Sequence, residues 1–239
     1  MEGDKKLATH SLNISIVVPC YNEEGNIKRL LQGIKSTSCS GSLKFNYEVI
    51  VVDDGDDATS FIAQNYGARV VRGRGKGLGQ AIIDGIEASK YDIVLNMDAD
   101  LQHNPQDIPR LIEPIVKKGV DLVIGSKYVK GGDTSEWSLF RRLVSGISGY
   151  FWSIPLGIRD ANSGFFAFKK EILDGVTLKG DSWKTMLEVL IKGNWISKLE
   201  VPIKFGNREQ GESKNSPYHA KPQESVLIEY QFNHMSRQY

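Results

Sequence analysis

The sequence predicts an α/β fold: a single domain with a mostly parallel central sheet flanked by helices. Three observations carry this. Residues 14–18, 47–52, 69–71, 91–97 and 120–125 form short apolar runs rich in β-branched side chains, the pattern of strands buried on both faces. Stretches with helical spacing separate them, so strand and helix alternate to about residue 126, the signature of a parallel sheet covered on both sides. Acidic clusters, Asp53/Asp54 and Asp98/Asp100, follow two of the strands. In open α/β sheets that carboxyl edge is where ligands bind.

The first strand, 14–18, is ended by Pro19. Ile27, Leu30, Leu31 and Ile34 then repeat at helical spacing. Asn22 or a neighbour can cap this helix, and Glu23 and Glu24 suit its positive end. A small polar loop is expected at 36–42. The second strand ends in Asp53-Asp54-Gly55-Asp56-Asp57. Four aspartates in five residues exceed what a plain turn needs. Some can cap a helix beginning near Thr59; others can hold a hydroxylated ligand. After the third strand comes Gly73-Arg74-Gly75-Lys76-Gly77-Leu78-Gly79, then a helix over 80–89. This is not a dinucleotide fingerprint, because Leu78 stands at the third glycine position. It is not a P-loop either, because Gly77 follows Lys76. Arg72, Arg74 and Lys76 can approach a phosphate or form a solvated basic loop; both readings stand.

The fourth strand, 91–97, leads into Asp98 and Asp100. Pro105 opens a helix to Lys118, with Pro109 and Pro114 interrupting its regularity, and 120–125 is the fifth strand. The second half is less regular. Gly131-Gly132 is a break, and 135–142 is polar and basic. A turn at 160–164 leads to a strand at 165–168; a helix at 183–192 carries Glu188. A strand at 195–205 contains Pro202, which argues for an edge position. The expected division is a flexible N-terminus at 1–12, a catalytic domain at 13–215, and a polar tail at 216–239 without a transmembrane segment.

Totals narrow the function classes. A net charge of +1 gives no electrostatic footprint for nucleic acid, so no nucleic-acid partner is expected. Cys20 and Cys39 lack metal or disulfide spacing and read as reduced thiols. The N-terminus lacks the apolar core of a signal peptide. No run reaches the ~18 apolar residues of a membrane span. The longest apolar stretch, 143–157, is interrupted by Ser145, Ser148 and Ser153 and preceded by Arg141 and Arg142. It can be a core helix or an interfacial one.

Asp98 and Asp100 carry the sharpest chemical signal. Two apart in extended backbone, they would point the same way. Two adjacent negative charges are costly without a positive partner. A hard divalent cation, Mg²⁺ or Mn²⁺, suits them, since it takes one or two carboxylates plus substrate phosphates. The plain alternative is a solvated turn after a strand.

Six segments occur in a telling order: Pro19-Cys20-Tyr21-Asn22-Glu23, Val52-Asp53-Asp54-Gly55, Gly77-Leu78-Gly79-Gln80-Ala81, Asp98-Ala99-Asp100-Leu101-Gln102-His103, Ser163-Gly164-Phe165 and Arg208-Glu209-Gln210-Gly211-Glu212-Ser213-Lys214. Together they resemble the inverting glycosyltransferase family two. With Trp137 to Arg142 and the Gly-Glu-Ser-Lys ending, they are most similar to its dolichyl-phosphate mannosyltransferase branch. The resemblance spans roughly residues 13–215. It implies one nucleotide-sugar-binding α/β domain with a divalent cation, Mg²⁺ or Mn²⁺. Pro19, Tyr21, Glu23, Val52 and Asp54 would hold the nucleotide. Asp98, Ala99 and Asp100 would form the donor segment, Asp98 and Asp100 being catalytic, with Asp100 and Gln102 at the metal. Lys127, where the family often has Arg, would join the donor site with Arg208 and Lys214. Arg141 and Ser145 would receive a lipid phosphate. The acidic loop departs from the family, which more often has a Ser-Pro-type insertion there.

The expected reaction is inverting transfer of a sugar, mannose from GDP-mannose, to a polyprenyl phosphate. The protein would be cytoplasmic and peripheral at the cytoplasmic face of a membrane, touching it through 137–157, since a lipid acceptor favours the interfacial reading of that stretch. A lipid phosphate is largely ionised at pH 7, its second pKa being about 6, and needs cations instead of a base. Two alternatives stand beside this. A UDP-sugar transferase acting on a lipid phosphate or a saccharide is the first; a saccharide acceptor would require a base, with Asp160 and Glu188 as candidates. The second is a non-catalytic nucleotide-sugar-binding module.

Overall fold

The computed structural model describes residues 12–40, 43–133, 156–181 and 184–206. Seven strands form one sheet: β1 (Asn13–Cys20), β2 (Asn46–Asp53), β3 (Arg69–Arg72), β4 (Ile93–Asn96), β5 (Leu122–Ser126), β6 (Phe166–Lys169) and β7 (Lys198–Pro202). Their order is β3-β2-β1-β4-β6-β5-β7. Strand β6 is antiparallel to both its neighbours, and every other pairing is parallel. The helices are α1 (Ile27–Ser40), α2 (Thr59–Asn65), α3 (Leu78–Ala88), α4 (Ile108–Lys118) and α5 (Thr185–Lys192). No helix among the described residues is long and apolar enough to cross a membrane.

Side-chain alternation along the strands divides the core in two. Ile14, Ile16 and Val18 of β1 face Leu30 and Ile34 of α1 and Leu111 and Ile112 of α4. Val17, Val94, Ile124 and Phe168 face the opposite way, onto Ile82 and Ile86 of α3 and Leu187 and Leu190 of α5. β1, buried from Ile14 on, and the fully buried β5 need apolar residues on both faces, which is why their sequences are nearly unbroken apolar runs.

The differences from the sequence expectations have local causes. Strand β1 runs through Pro19 instead of ending there. Val17 O bonds Met97 N on the β4 side and Cys20 O bonds Asp54 N on the β2 side, so the missing N–H of Pro19 faces the β4 side, beyond that strand's last pair at Val17–Asn96. Helix α1 absorbs residues 36–40, expected as loop. Thr37 Oγ1 donates to Gly33 O at 2.9 Å and Ser38 Oγ to Lys35 O at 2.9 Å, so the hydroxyls are satisfied within the helix. Asn22 sits at φ 54° and its Oδ1 accepts from Asp56 N; its neighbour Glu23 closes the first turn, its backbone O accepting from Asn26 N and Ile27 N. Pro109 falls in the first turn of α4, where its N–H is not needed, after a short 3₁₀ turn at Pro105–Asp107. The last strand is shorter than expected, and β7 does lie at the sheet edge. Both cysteines are free, Cys20 buried and Cys39 exposed.

At that end of the sheet one carboxylate organises three segments. Asp121 Oδ2 accepts from Ile196 N and Ser197 N, each at 2.9 Å, and from Ser197 Oγ at 3.0 Å; Lys169 Nζ donates to Oδ1 at 2.8 Å. Burial opposes the charge, but these hydrogen bonds outweigh it and hold the carboxyl well below the usual range. The stabilisation is therefore full above the unfolded pKa of about 3.9 and is lost as pH falls toward the depressed folded value. Asp121→Ala should cost about 1–3 kcal/mol at pH 7, the cost of orphaned donors, and the gap from wild type should narrow in acid. Equal denaturant midpoints for the two proteins at pH 7 would refute this role.

Candidate functional site

The loops after β1, β2 and β3 meet because their strand ends are in register: Cys20 pairs with Asp53, and Asp53 with Arg72. Most of the acidic residues there bind the loops to one another. Asp53 is buried; its Oδ1 accepts from Gly55 N at 2.9 Å and its Oδ2 from Ser60 Oγ at 2.6 Å. Asp57 accepts from Glu24 N at 3.0 Å and Thr59 N at 2.9 Å, so Asp57 satisfies the start of α2. Glu24 returns a bond by accepting from Ala58 N, and Glu23 N donates to Thr59 Oγ1 at 2.8 Å. Gly55 is required here, because a Cβ would lie 2.3 Å from Asn22 Oδ1.

Asp54 reaches the third loop and accepts from Gly75 N at 2.9 Å. Arg72 and Arg74 have local partners. Arg72 donates to Gly55 O. Arg74 pairs with Asp84 at 3.1 Å and Glu87 at 2.6 Å on α3, while Lys76 is exposed. Of the expected nucleotide residues, Pro19, Glu23 and Val52 are buried in the frame of this edge. Tyr21, 55% exposed, and the half-buried Asp54 stand at its surface.

The Asp98–His103 loop leaves β4 differently from an extended pair of aspartates. It bends at once, and Leu101 adopts φ 63°, a conformation that costs a non-glycine residue roughly 1 kcal/mol or more. Asp100 Oδ1 accepts from Gln102 N at 3.1 Å. Gln102 Nε2 donates to Gly206 O at 3.1 Å, and Gly206 N donates back to Gln102 O at 3.0 Å. With that nitrogen committed, Oε1 is the Gln102 side-chain atom that can meet a cation. Asp98 keeps a third of its side chain exposed (33%), Asp100 is half-buried, and Ala99 is buried.

Across from this loop stands the segment before β6. Asn96 Nδ2 donates to Gly164 O at 2.7 Å, and Ser163 Oγ to Gly125 O at 2.6 Å. Gly164 is thereby pressed against Asp98: a Cβ there would lie 2.7 Å from Oδ2 and 2.9 Å from Oδ1. His103 is buried, its ring stacked on Phe165 and edge-on to Phe205, each at a centroid distance of 5.0 Å. Burial drives the imidazole down to about 4, so it is neutral at pH 7.

Lys127 lies in a buried ion pair, its Nζ 2.9 Å from both oxygens of Asp160, with the rings of Tyr128 and Phe205 beside the ammonium. Glu188, the other candidate base, accepts from Lys179 N at 2.5 Å, Gly180 N at 3.2 Å and Lys192 Nζ at 2.7 Å. Both carboxylates are thus engaged by donors of their own surroundings. Arg141, Ser145, Arg208 and Lys214 lie outside the described residues, as do residues 137–155. Sequence reasoning gave no role to Asn96, Phe205 or Gly206, and none of the three carried a local signal.

No group of three or more His, Cys, Asp or Glu stands together as a metal site among the described residues. The donor set at the aspartate loop is two carboxylates and an amide oxygen. That fits a hard cation completed by substrate phosphates and water, not a caged structural metal.

Residues 15–177 match the pattern of glycosyl transferase family 2. The chain belongs to glycosyl transferase family 2. It is 40% identical over 213 residues to a dolichol-phosphate mannosyltransferase of Pyrococcus furiosus, covering 85% of this chain and 59% of that protein. The chain thus spans less than two thirds of that relative's length. It is 32% identical over 237 residues to a dolichol-phosphate mannosyltransferase of Saccharomyces cerevisiae, covering 92% of this chain and 85% of the other. Among solved structures, the fold is similar to glucosyl-3-phosphoglycerate synthase of Mycobacterium tuberculosis in complex with Mn²⁺, UDP-glucose and phosphoglyceric acid. That likeness has a TM-score of 0.64 at 19% identity and covers 93% of this chain and 79% of the other.

The Asp98–Gly164 contact gives a test of the family 2 site. Gly164→Ala should displace the Asp98 carboxylate and cut glycosyl transfer by about 10²-fold, the scale of a 1 Å misplacement, with native circular dichroism. Undiminished turnover would mean that the position of Asp98 does not matter.

Proposed function

We propose that this chain transfers mannose from GDP-mannose to a polyprenyl phosphate, with inversion, at the cytoplasmic face of a membrane that it meets peripherally through residues 137–157. The catalytic unit is residues 13–215. The observation that carries the reading is the Asp98–His103 loop, held at the carboxyl edge against Gly164, in a chain that shares 40% identity with a dolichol-phosphate mannosyltransferase. Tyr21 and Asp54, on the frame made by Pro19, Glu23 and Val52, take the nucleotide. Asp98, Ala99 and Asp100 face the donor's diphosphate side. Asp100 and the Gln102 amide oxygen hold a divalent cation, Mg²⁺ or Mn²⁺; the Mn²⁺ complex of the structurally similar synthase favours the same kind of ion. When bound, that cation offsets charge developing on the leaving diphosphate.

The acceptor phosphate oxygen attacks the anomeric carbon, and the bond to the nucleoside diphosphate breaks with its electrons going to the leaving group. No base is needed, because the phosphate is already ionised near pH 7, its second pKa being about 6. The engagement of Asp160 by Lys127 and of Glu188 by the 179–180 backbone agrees with this, since a hydroxyl acceptor would need such a carboxylate free. Arg141 and Ser145 receive the acceptor phosphate, and Arg208 and Lys214 the donor phosphates. Support for Arg208 is its place two residues after Gly206, whose backbone is bonded to Gln102. Lys127 acts on the donor side through the buried pair it makes with Asp160.

The test is turnover with a polyprenyl phosphate and Mg²⁺ or Mn²⁺, offering GDP-mannose, UDP-glucose and UDP-N-acetylglucosamine in parallel, with an EDTA control. Metal-dependent product from GDP-mannose is expected. Product from a UDP-sugar alone would move the donor assignment, and donor binding without any product would favour a binding module. Asp100→Ala should abolish the metal-dependent transfer; retained transfer would remove Asp100 from the metal site. Arg141→Ala should raise the KM for the lipid phosphate or lower kcat, and if both stay unchanged its acceptor role is wrong.

A further inference from the structure

We infer that His103 is a positioning residue for the Asp98–Asp100 segment: its Nδ1, as a hydrogen-bond acceptor, closes the loop that presents the two carboxylates. The inference rests on the reading of this segment as the cation and diphosphate site.

The loop is tied at three points. Asp98 N donates to His103 Nδ1 at 3.3 Å, Gln102 N donates to Asp100 Oδ1 at 3.1 Å, and Gln102 and Gly206 exchange two bonds. The first tie spans the whole loop, including Leu101 at φ 63°. An unfavourable backbone conformation of that kind persists only where its surroundings over-determine it. An acceptor at Nδ1 requires the tautomer with hydrogen on Nε2, and Nε2 is a buried atom without a hydrogen-bond partner among the described residues. The buried ring therefore spends one bond, and it spends it on the Asp98 backbone. Its plane is fixed by Phe165, adjacent to Gly164, and by Phe205, adjacent to Gly206. The imidazole thus stands where the aspartate loop, the segment before β6 and the segment after β7 converge. The Asp98 carboxylate itself is not engaged by the ring, since Oδ2 lies 3.6 Å from Nδ1, beyond hydrogen-bond range.

Packing and hydrogen bonding can be separated by substitution. His103→Phe keeps an aromatic ring between Phe165 and Phe205 but removes the acceptor. His103→Asn removes the ring but can place Oδ1 where Nδ1 stood. The probe is Mn²⁺, titrated with GDP or with UDP and followed by electron paramagnetic resonance. Amide exchange over residues 97–103 of the metal-free protein is measured alongside.

The phenylalanine variant should bind Mn²⁺ some 10–100-fold more weakly, the usual scale for losing a hydrogen-bonding support of a metal site, and should exchange faster over 97–103. The asparagine variant should recover most of the affinity. Should the phenylalanine variant fail to fold, His103→Leu serves as the arm without an acceptor, with the same two readouts. Wild-type affinity in the acceptor-free variant overturns the inference while leaving the metal reading intact. Equal losses in the acceptor-free and asparagine variants also overturn it, because packing would then be the whole role. Wild-type protein that binds no Mn²⁺ with either nucleotide overturns the metal reading, and this inference falls with it.

Discussion

The candidate site depends on the reversal of one strand. In a parallel sheet every strand delivers its carboxyl end to the same edge, and the loops that follow are what meet there. Strand β6 runs the other way between β4 and β5, so it brings its amino end to that edge. The segment 160–165 therefore arrives opposite the aspartates that leave β4. Two hydrogen bonds hold it: Asn96 Nδ2 to Gly164 O, and Ser163 Oγ to Gly125 O. The close approach of Gly164 to Asp98, the stacking of Phe165 on His103 and the placement of Asp160 against Lys127 all follow from that geometry. A parallel strand in the same position would have sent these residues to the opposite edge.

The regular half of the molecule was legible because its signal is local. Apolar runs such as 14–18 and 120–125 report burial on both faces, and burial on both faces means the interior of a parallel sheet. The aspartate loop could be placed at a strand end for the same reason. What could not be read depends on how polar groups are finally paired, whether with a neighbour in the chain or with a distant segment. Thr37 and Ser38 look like loop residues, yet their hydroxyls return to the α1 backbone. Pro19 looks like a strand end, yet its missing donor faces ground that β4 does not reach. The link from Gln102 to Gly206 spans 104 positions, and no pattern within either segment encodes it. The antiparallel sense of β6 is of this kind too, since an apolar run carries no direction.

The acidic residues show the same division. Along the sequence, Asp98 and Asp100 carry the sharpest signal, while Asp53, Asp54, Asp57 and Asp160 could each serve a ligand or the fold. Sorted by what they accept, they separate. Asp53 and Asp57 bond backbone N–H groups and a hydroxyl within their own and neighbouring loops, and Asp160 is buried against an ammonium. A buried pair of that kind is weak evidence for stability, because desolvating two ions offsets much of their attraction. Its geometry is well defined, however, because Nζ reaches both carboxylate oxygens while Tyr128 and Phe205 flank it. That definition suits a pair whose task is to keep β5 and the segment before β6 in register beside the aspartates.

The distribution of burial then decides which side chains can meet a ligand. The framework carboxylates Asp53, Glu23 and Asp160 are buried, whereas Asp98, Tyr21 and Asp54 retain exposed surface at the same edge. A rigid frame of satisfied carboxylates supporting a few accessible ones is the arrangement that keeps a charged constellation from relaxing toward solvent. It also explains why so acidic an edge does not disrupt the fold. The repulsion is answered group by group, by backbone donors at Asp53, Asp54 and Asp57 and by a lysine at Asp160. Asp98 and Asp54 keep accessible charge at the carboxyl edge of the sheet, where open α/β sheets bind their ligands.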